Sequence, residues 1–178
     1  MSRVQASLTR RCLPPLNASL KTRVTCLSAH LGDAQLGLGA RVYEKLAQRV
    51  TDIIHAAWAV NFVGGLMSFE ADHIRGVHQL IRLAAPNVYR NTSAAFHFCS
   101  SGATVLGRLP IEPIAERVPE EPESAAAMGY ARSKWVTEHL CVAAGRTLLK
   151  GKVSVLRIGQ LCGDTRAGVW NESEGWPL

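Results

Sequence analysis

From Arg23 onward, apolar runs of strand length alternate with stretches whose apolar residues recur every three or four positions. That alternation predicts βαβ units around a parallel sheet. Strands are expected at Arg23–Ser28 (RVTCLS), Thr51–Ala57 (TDIIHAA), Ala94–Ser100 (AAFHFCS) and Lys152–Ile158 (KVSVLRI). The second of these is almost unbroken in its apolar content, as strands covered on both faces are. Helices are expected at Ala40–Arg49, with Val42, Leu46 and Val50 on one face, and at Leu66–Ala84, where Leu66, Phe69, Ile74, Val77, Leu80, Ile81 and Ala84 form a stripe. A third helix contains Gly129-Tyr130-Ala131-Arg132-Ser133-Lys134-Trp135 and runs to about Leu149, with Val136, Leu140, Ala143 and Ala144 as its apolar face. The Pro- and Glu-rich stretch from Leu109 to Glu123 reads as an exposed, mobile loop.

Ligands on open parallel sheets bind beyond the carboxyl ends of the strands. Three such ends are predicted to converge: His55-Ala56-Ala57, Ser100-Ser101-Gly102 and Ile158-Gly159-Gln160. The length of 178 residues and a hydrophobic content of 47% suit one domain with a real core. The net charge of +6 is spread without a Lys/Arg run or interleaved aromatic residues, which argues against nucleic acid as a partner. Cys12, Cys26, Cys99, Cys141 and Cys162 are odd in number and far apart, which speaks for a reducing compartment such as the cytoplasm and against a disulfide framework or a metal site. The apolar run from Ile53 to Met67 is broken by His55 and Asn61 and is too short to span a bilayer, so no membrane association is expected.

The first 22 residues carry Arg3, Arg10 and Arg11 and no acid, a composition shared with organelle transit peptides. Pro14-Pro15 interrupts any amphipathic helix there. Residues 1–22 are therefore expected to be a disordered or mis-delimited start, followed by a partial nucleotide-binding domain over 23–160 and the beginning of a substrate-binding region over 161–178.

The chemistry is concentrated in GYARSKW. Four residues along an α-helix turn through about 400°, so Tyr130 and Lys134 lie roughly 40° apart on neighbouring turns and reach the same ligand. An ammonium beside a phenol favours the phenolate, which suits Tyr130 to relaying a proton. Tyr and Lys at this spacing also recur by chance, and the plain alternative is a surface lysine packed over a half-buried tyrosine. Context favours chemistry: a strand ending in Ser100-Ser101, a loop, the Tyr-Lys pair on a helix, then another strand.

Five segments, DIIHAAWAVNF (52–62), HIRGVHQLI (73–81), FHFCSSGATVLG (96–107), MGYARSKWVTEHL (128–140) and VLRIGQLCGDTRAGVWNESEGWPL (155–178), carry a family resemblance. In this order they resemble the extended short-chain dehydrogenase/reductases. The nearer similarity is to the thioester reductase domains of nonribosomal-peptide-synthetase-like and aminoadipate-reductase-like enzymes. The resemblance implies an α/β fold, an incomplete Rossmann-like doubly wound parallel sheet. It lacks the N-terminal glycine-rich βαβ element and most of the C-terminal substrate domain. It implies NADPH-dependent reductive release of an acyl chain, carried as a thioester on the phosphopantetheine arm of a carrier protein, as an aldehyde. Tyr130 would be the proton donor. Lys134 would orient the nicotinamide ribose of NADP(H) and ease ionisation of the phenol. Ala56, Ala57, Ile158 and Gly159 would line the cofactor, and the segment from Gln160 to Trp176 would face the acyl-pantetheine.

The chain also departs from that pattern. No glycine precedes Arg23, so no G-x-x-G-x-x-G turn is available to cradle the pyrophosphate. His30 stands where the family has an acid near the adenine, and Gly102 where it has a catalytic hydroxyl; Ser101 is the adjacent substitute. The sequence therefore also admits an inactive, truncated relative acting at most as a binding piece. A nucleotide-sugar epimerase or dehydratase is a third reading, opposed by the W-N and W-P pairs of the tail.

Overall fold

The computed structural model describes residues 2–107, 113–166 and 168–170. They divide into two compact units, one of the described residues within 29–159 and one of the described residues within 2–28 and 160–170.

The larger unit is an open sheet of three parallel strands in the order β1 (Asp52–His55), β2 (Ala95–Ser101), β3 (Val153–Ile158). The register pairs Ile53 with Phe96 and His55 with Phe98, and continues Phe98 with Val155 and Ser100 with Arg157. Side chains alternate across a strand, so Phe96, Phe98 and Ser100 share one face. That face is buried, while Ala95, His97, Cys99 and Ser101 on the other are half-exposed. Three helices contribute to the core on the buried face: α3 (Ala40–Arg49), α4 (Arg75–Ala84) and α5 (Gly129–Thr147). Val77, Leu80, Ile81 and Leu83 of α4, Ala47 of α3 and Cys141 and Ala144 of α5 close over Phe96 and Phe98. Each aromatic ring so buried is worth about 1.5–3 kcal/mol.

Residues 66–84 depart from a single helix. Leu66–Phe69 is a 3-10 turn and Glu70–Ile74 a π turn, before α4 begins at Arg75. The wider turn carries the Ala71 carbonyl against Gly32, where a Cβ would stand 2.0 Å from its oxygen. The apolar stripe is thus continuous in sequence while the backbone winding changes under it.

Residues 23–28 are not a strand, contrary to the apolar pattern of RVTCLS; they are irregular and exposed. A strand exists only through a partner, and all strand pairing in the described residues is β1 with β2 and β2 with β3. In the smaller unit, α1 (Ser2–Arg10) and α2 (Ala18–Thr22) are helical where the composition suggested no order. The Asn17 side chain caps α2 by accepting from Leu20 N at 2.8 Å. Among the described residues no helix is long and apolar enough to cross a membrane.

Of the loop expected over 109–123, residues 109–112 lie outside the described residues. The remainder is mostly exposed but anchored. Pro119 O accepts from Trp135 Nε1 at 2.9 Å and from His139 Nε2 at 3.0 Å, and Arg117 O accepts from Arg157 Nη2 at 2.9 Å.

Candidate functional site

The start of α5 is fixed by a close approach. Gly129 abuts the loop after β1, and a Cβ there would lie 2.2 Å from Gly64 O. That loop is itself ordered by Asn61 Oδ1, which accepts from Val63 N and Gly64 N. Its Phe62 ring meets the edge of Tyr130 at 5.3 Å between centroids. Tyr130 is half-buried beside this loop.

Lys134 is not the surface lysine of the plain alternative: it is 4% exposed and belongs to the buried stripe of α5. Its Nζ donates to Cys99 O of β2 at 2.5 Å. The rings of Trp58, Phe98 and Tyr130 surround the ammonium at 4.8, 5.1 and 5.8 Å. Aromatic faces attract a cation, yet burial dominates and draws the amine down to about 8, with Cys99 and the Glu138 carboxylate pulling the other way. Near neutral pH Lys134 is an ammonium with N–H groups beyond the one given to Cys99.

Half of the buried residues of α5 are polar, which the hydrophobic pattern concealed. Val136 and Leu140 are half-buried and Ala143 is exposed, while Ser133, Lys134, Thr137 and Glu138 are buried. Ser133 Oγ donates to Tyr130 O at 2.7 Å and Thr137 Oγ1 to Ser133 O at 2.8 Å, so both hydroxyls are satisfied within the helix. Glu138 accepts from Ser100 Oγ at 2.5 Å, Thr104 Oγ1 at 3.0 Å and Arg157 Nη2 at 2.7 Å.

These bonds separate the two serines at the end of β2. Ser100 is buried and committed to Glu138, so it is unsuited to touching a substrate. Ser101 is half-buried on the opposite face, and its Oγ accepts from Ala103 N at 3.2 Å, leaving the hydroxyl hydrogen to donate elsewhere. Ser101 pairs in register with Ile158, and a Cβ on Gly102 would meet only Ile158 O, at 4.0 Å. Ala56, Ala57 and Gly159 are exposed beyond the ends of β1 and β3. His30 is exposed on a separate turn, its backbone N donating to Leu36 O at 2.9 Å, and is not brought to the dyad by any described contact.

Two residues at the site had no prior assignment from pattern: Trp58 and Glu138. Trp58 stacks on His73 at 5.0 Å and packs edge-on to Phe98 at 5.5 Å. His55, at the end of β1, stacks on Phe98 at 6.1 Å and is held down to about 4 by burial, then by the charge of Lys134 and by His73. His73 is also lowered, chiefly by burial, against the opposing pull of Asp72.

A family model for NAD-binding proteins, described as Male sterility protein, matches residues 1–178. An adenylate-forming reductase of Aspergillus terreus is 31% identical over 151 residues, which are 79% of this chain and 14% of that protein. Clavatol synthase claF of Penicillium crustosum is 31% identical over 182 residues, 99% of this chain and 7% of that protein. The chain therefore spans a small fraction of the length of these curated relatives. The solved terminal R domain from the myxalamid PKS-NRPS biosynthetic pathway is 30% identical with a TM-score of 0.79, over 98% of this chain and 42% of that one. The PhqB reductase domain from Penicillium fellutanum, at 20% identity and a TM-score of 0.65 over 96% of this chain and 40% of that one, supports the fold.

Proposed function

Because the chain belongs to the NAD-binding male sterility protein family, alongside the reductase domains of PKS and NRPS systems, we propose that it is part of a thioester reductase. In this reading it uses NADPH to reduce an acyl thioester held on the phosphopantetheine arm of a carrier protein, and releases an aldehyde. The observation that carries the reading is Lys134: a buried ammonium, one turn from Tyr130, fixed to the carboxyl end of β2.

The residues present suit the nicotinamide-ribose half of the cofactor. Lys134 has N–H groups to offer a ribose hydroxyl, and Ala56, Ala57 and Gly159 leave open space beside the strand ends. The sequence holds no G-x-x-G-x-x-G turn for the pyrophosphate. When bound, NADPH supplies the hydride for the thioester carbonyl carbon. Tyr130 delivers a proton to the carbonyl oxygen, and Ser101, donating its free hydroxyl hydrogen, holds that oxygen in place. Collapse of the resulting hemithioacetal breaks the C–S bond and gives the aldehyde and the free pantetheine thiol. The carrier-protein partner, the choice of NADP over NAD, a cytoplasmic location and the division at residues 22 and 160 belong to the same proposal.

Titration of the chain with NADPH by calorimetry, followed by assay on an acyl-pantetheine thioester, tests it. Saturable binding and NADPH oxidation are expected, and Tyr130→Phe should slow turnover by about a hundredfold or more. Absence of saturable binding would favour an inactive relative, and an unchanged rate in Tyr130→Phe would remove it as proton donor.

A further inference from the structure

We propose that Glu138 is a positioning residue for the reaction, tying the end of β2, the Gly102–Val105 turn and β3 to α5 so that the Ser101 hydroxyl is held in register with Tyr130 and Lys134. This rests on the reductase reading of that pair. Glu138 is fully buried one helical turn beyond Lys134. Its Oε1 accepts from Ser100 Oγ, Thr104 Oγ1 and Arg157 Nε, and its Oε2 from Arg157 Nη2 and Nε. Ser100 immediately precedes Ser101, and Thr104 follows it by three residues, its single hydroxyl hydrogen shared between Glu138 Oε1 and Ser101 O, the latter at 2.9 Å. The segment that carries the candidate hydroxyl is therefore held on both sides by one carboxylate.

Two successive turns of α5 grip the same strand end, Lys134 at Cys99 O and Glu138 at Ser100 Oγ. Arg157 extends the tether outward, since its Nη2 also donates to Arg117 O in the anchored loop. A buried carboxylate is costly to desolvate, and an apolar side chain would pack the same space without that cost. What the carboxylate adds is direction: it collects donors from three elements at fixed geometry, and placement on this scale governs rate. Glu138 also stands among the titratable groups that bear on Lys134, with Cys99, His55 and His73.

The test compares Glu138→Gln, Glu138→Asp, Ser100→Ala and Thr104→Val in the full chain. Lysine side-chain NMR, with the Lys134 signal assigned by its loss in Lys134→Met, follows the titration of Lys134, and amide hydrogen exchange follows residues 101–103. Glu138→Gln should move the Lys134 midpoint below its starting value of about 8, because the carboxylate favours the ammonium. Glu138→Asp keeps the charge but shortens the reach: its lysine titration should stay close to wild type while exchange at residues 101–103 accelerates. Ser100→Ala and Thr104→Val each cut one tether and leave the Arg157 pair, so they should accelerate exchange and lower kcat by roughly tenfold to a hundredfold with KM little changed. These two decide the matter if Glu138→Gln does not fold. Wild-type exchange at residues 101–103 in both tether variants would overturn the proposal, as would a folded Glu138→Gln with an unmoved Lys134 midpoint. Titration and exchange need neither cofactor nor substrate. Failure of NADPH binding would therefore strike the reductase reading of the pair and be distinguishable from failure of the tether.

Discussion

His55 is the residue whose surroundings make the sharpest statement about pH. It is 4% exposed, its Nε2 is buried without a hydrogen-bond partner, and burial first and Lys134 second hold it down to about 4. In the unfolded chain the imidazole titrates near its ordinary value of 6.5. Between those two values the unfolded chain binds a proton that the folded chain refuses, so stability is complete above the upper value and lost as pH falls toward the lower. The loss across that window is up to about 3 kcal/mol, and it levels off beneath it. His55→Phe, which preserves the stack on Phe98, should remove this component. Urea midpoints measured near neutrality and at about pH 4.5 check it: the wild type should lose more stability than the variant, and equal losses would assign the titration elsewhere. The same neighbourhood marks how far single residues were legible. Spacing puts Tyr130 and Lys134 on neighbouring turns of one helix, but it does not show the burial of Lys134, because the ring of Trp58 and the donors converging on Glu138 belong to other elements.

The elements followed their patterns where packing and pattern agree. α3 has the bounds its periodicity predicted, and β1, β2 and β3 lie inside or within a residue of their apolar runs. RVTCLS failed because a strand is a property of a pair, and pairing is invisible in one segment. α5 was located correctly, but its buried side was not, since Ser133, Thr137 and Glu138 read as polar, the two hydroxyls being satisfied within the helix and Glu138 only by donors from other elements. What fixes the entry of α5 is the absence of a side chain. Gly129→Ala would force a Cβ to 2.2 Å from Gly64 O and 2.5 Å from Gly65 C, both backbone atoms that move only with the loop. The expected cost is about 1–3 kcal/mol, read as a lower thermal midpoint, together with displaced Phe62 and Tyr130 ring signals. Gly65→Ala is the control: its φ of −72° is ordinary and a Cβ there meets nothing within 4 Å, so its midpoint should hardly change. Equal behaviour of the two variants would refute the close-approach argument.

At the scale of the molecule, the feature that remains is an asymmetric sheet. Parallel sheets are ordinarily covered on both faces, and here Phe96 and Phe98 are covered whereas Ile54 is 73% exposed and Leu156 47% exposed. β1 and β3 each pair on one side only among the described strands, so both also present free backbone donors and acceptors. An apolar face next to an open strand edge is a template for association of chains in solution. Ile54→Lys places a charge on β1 where the side chain is already in solvent, and β1 contributes no other exposed large apolar residue. The substitution leaves the packed face untouched, so the thermal midpoint should stay within about 0.5 kcal/mol equivalent of wild type, while light scattering at a fixed protein concentration should fall and the soluble yield rise. Leu156→Lys on β3 should act in the same direction, more weakly, because that side chain is about half covered already. A double variant that scatters as strongly as the wild type would place the association on a different surface. A variant that unfolds would show that Ile54 is packed in solution.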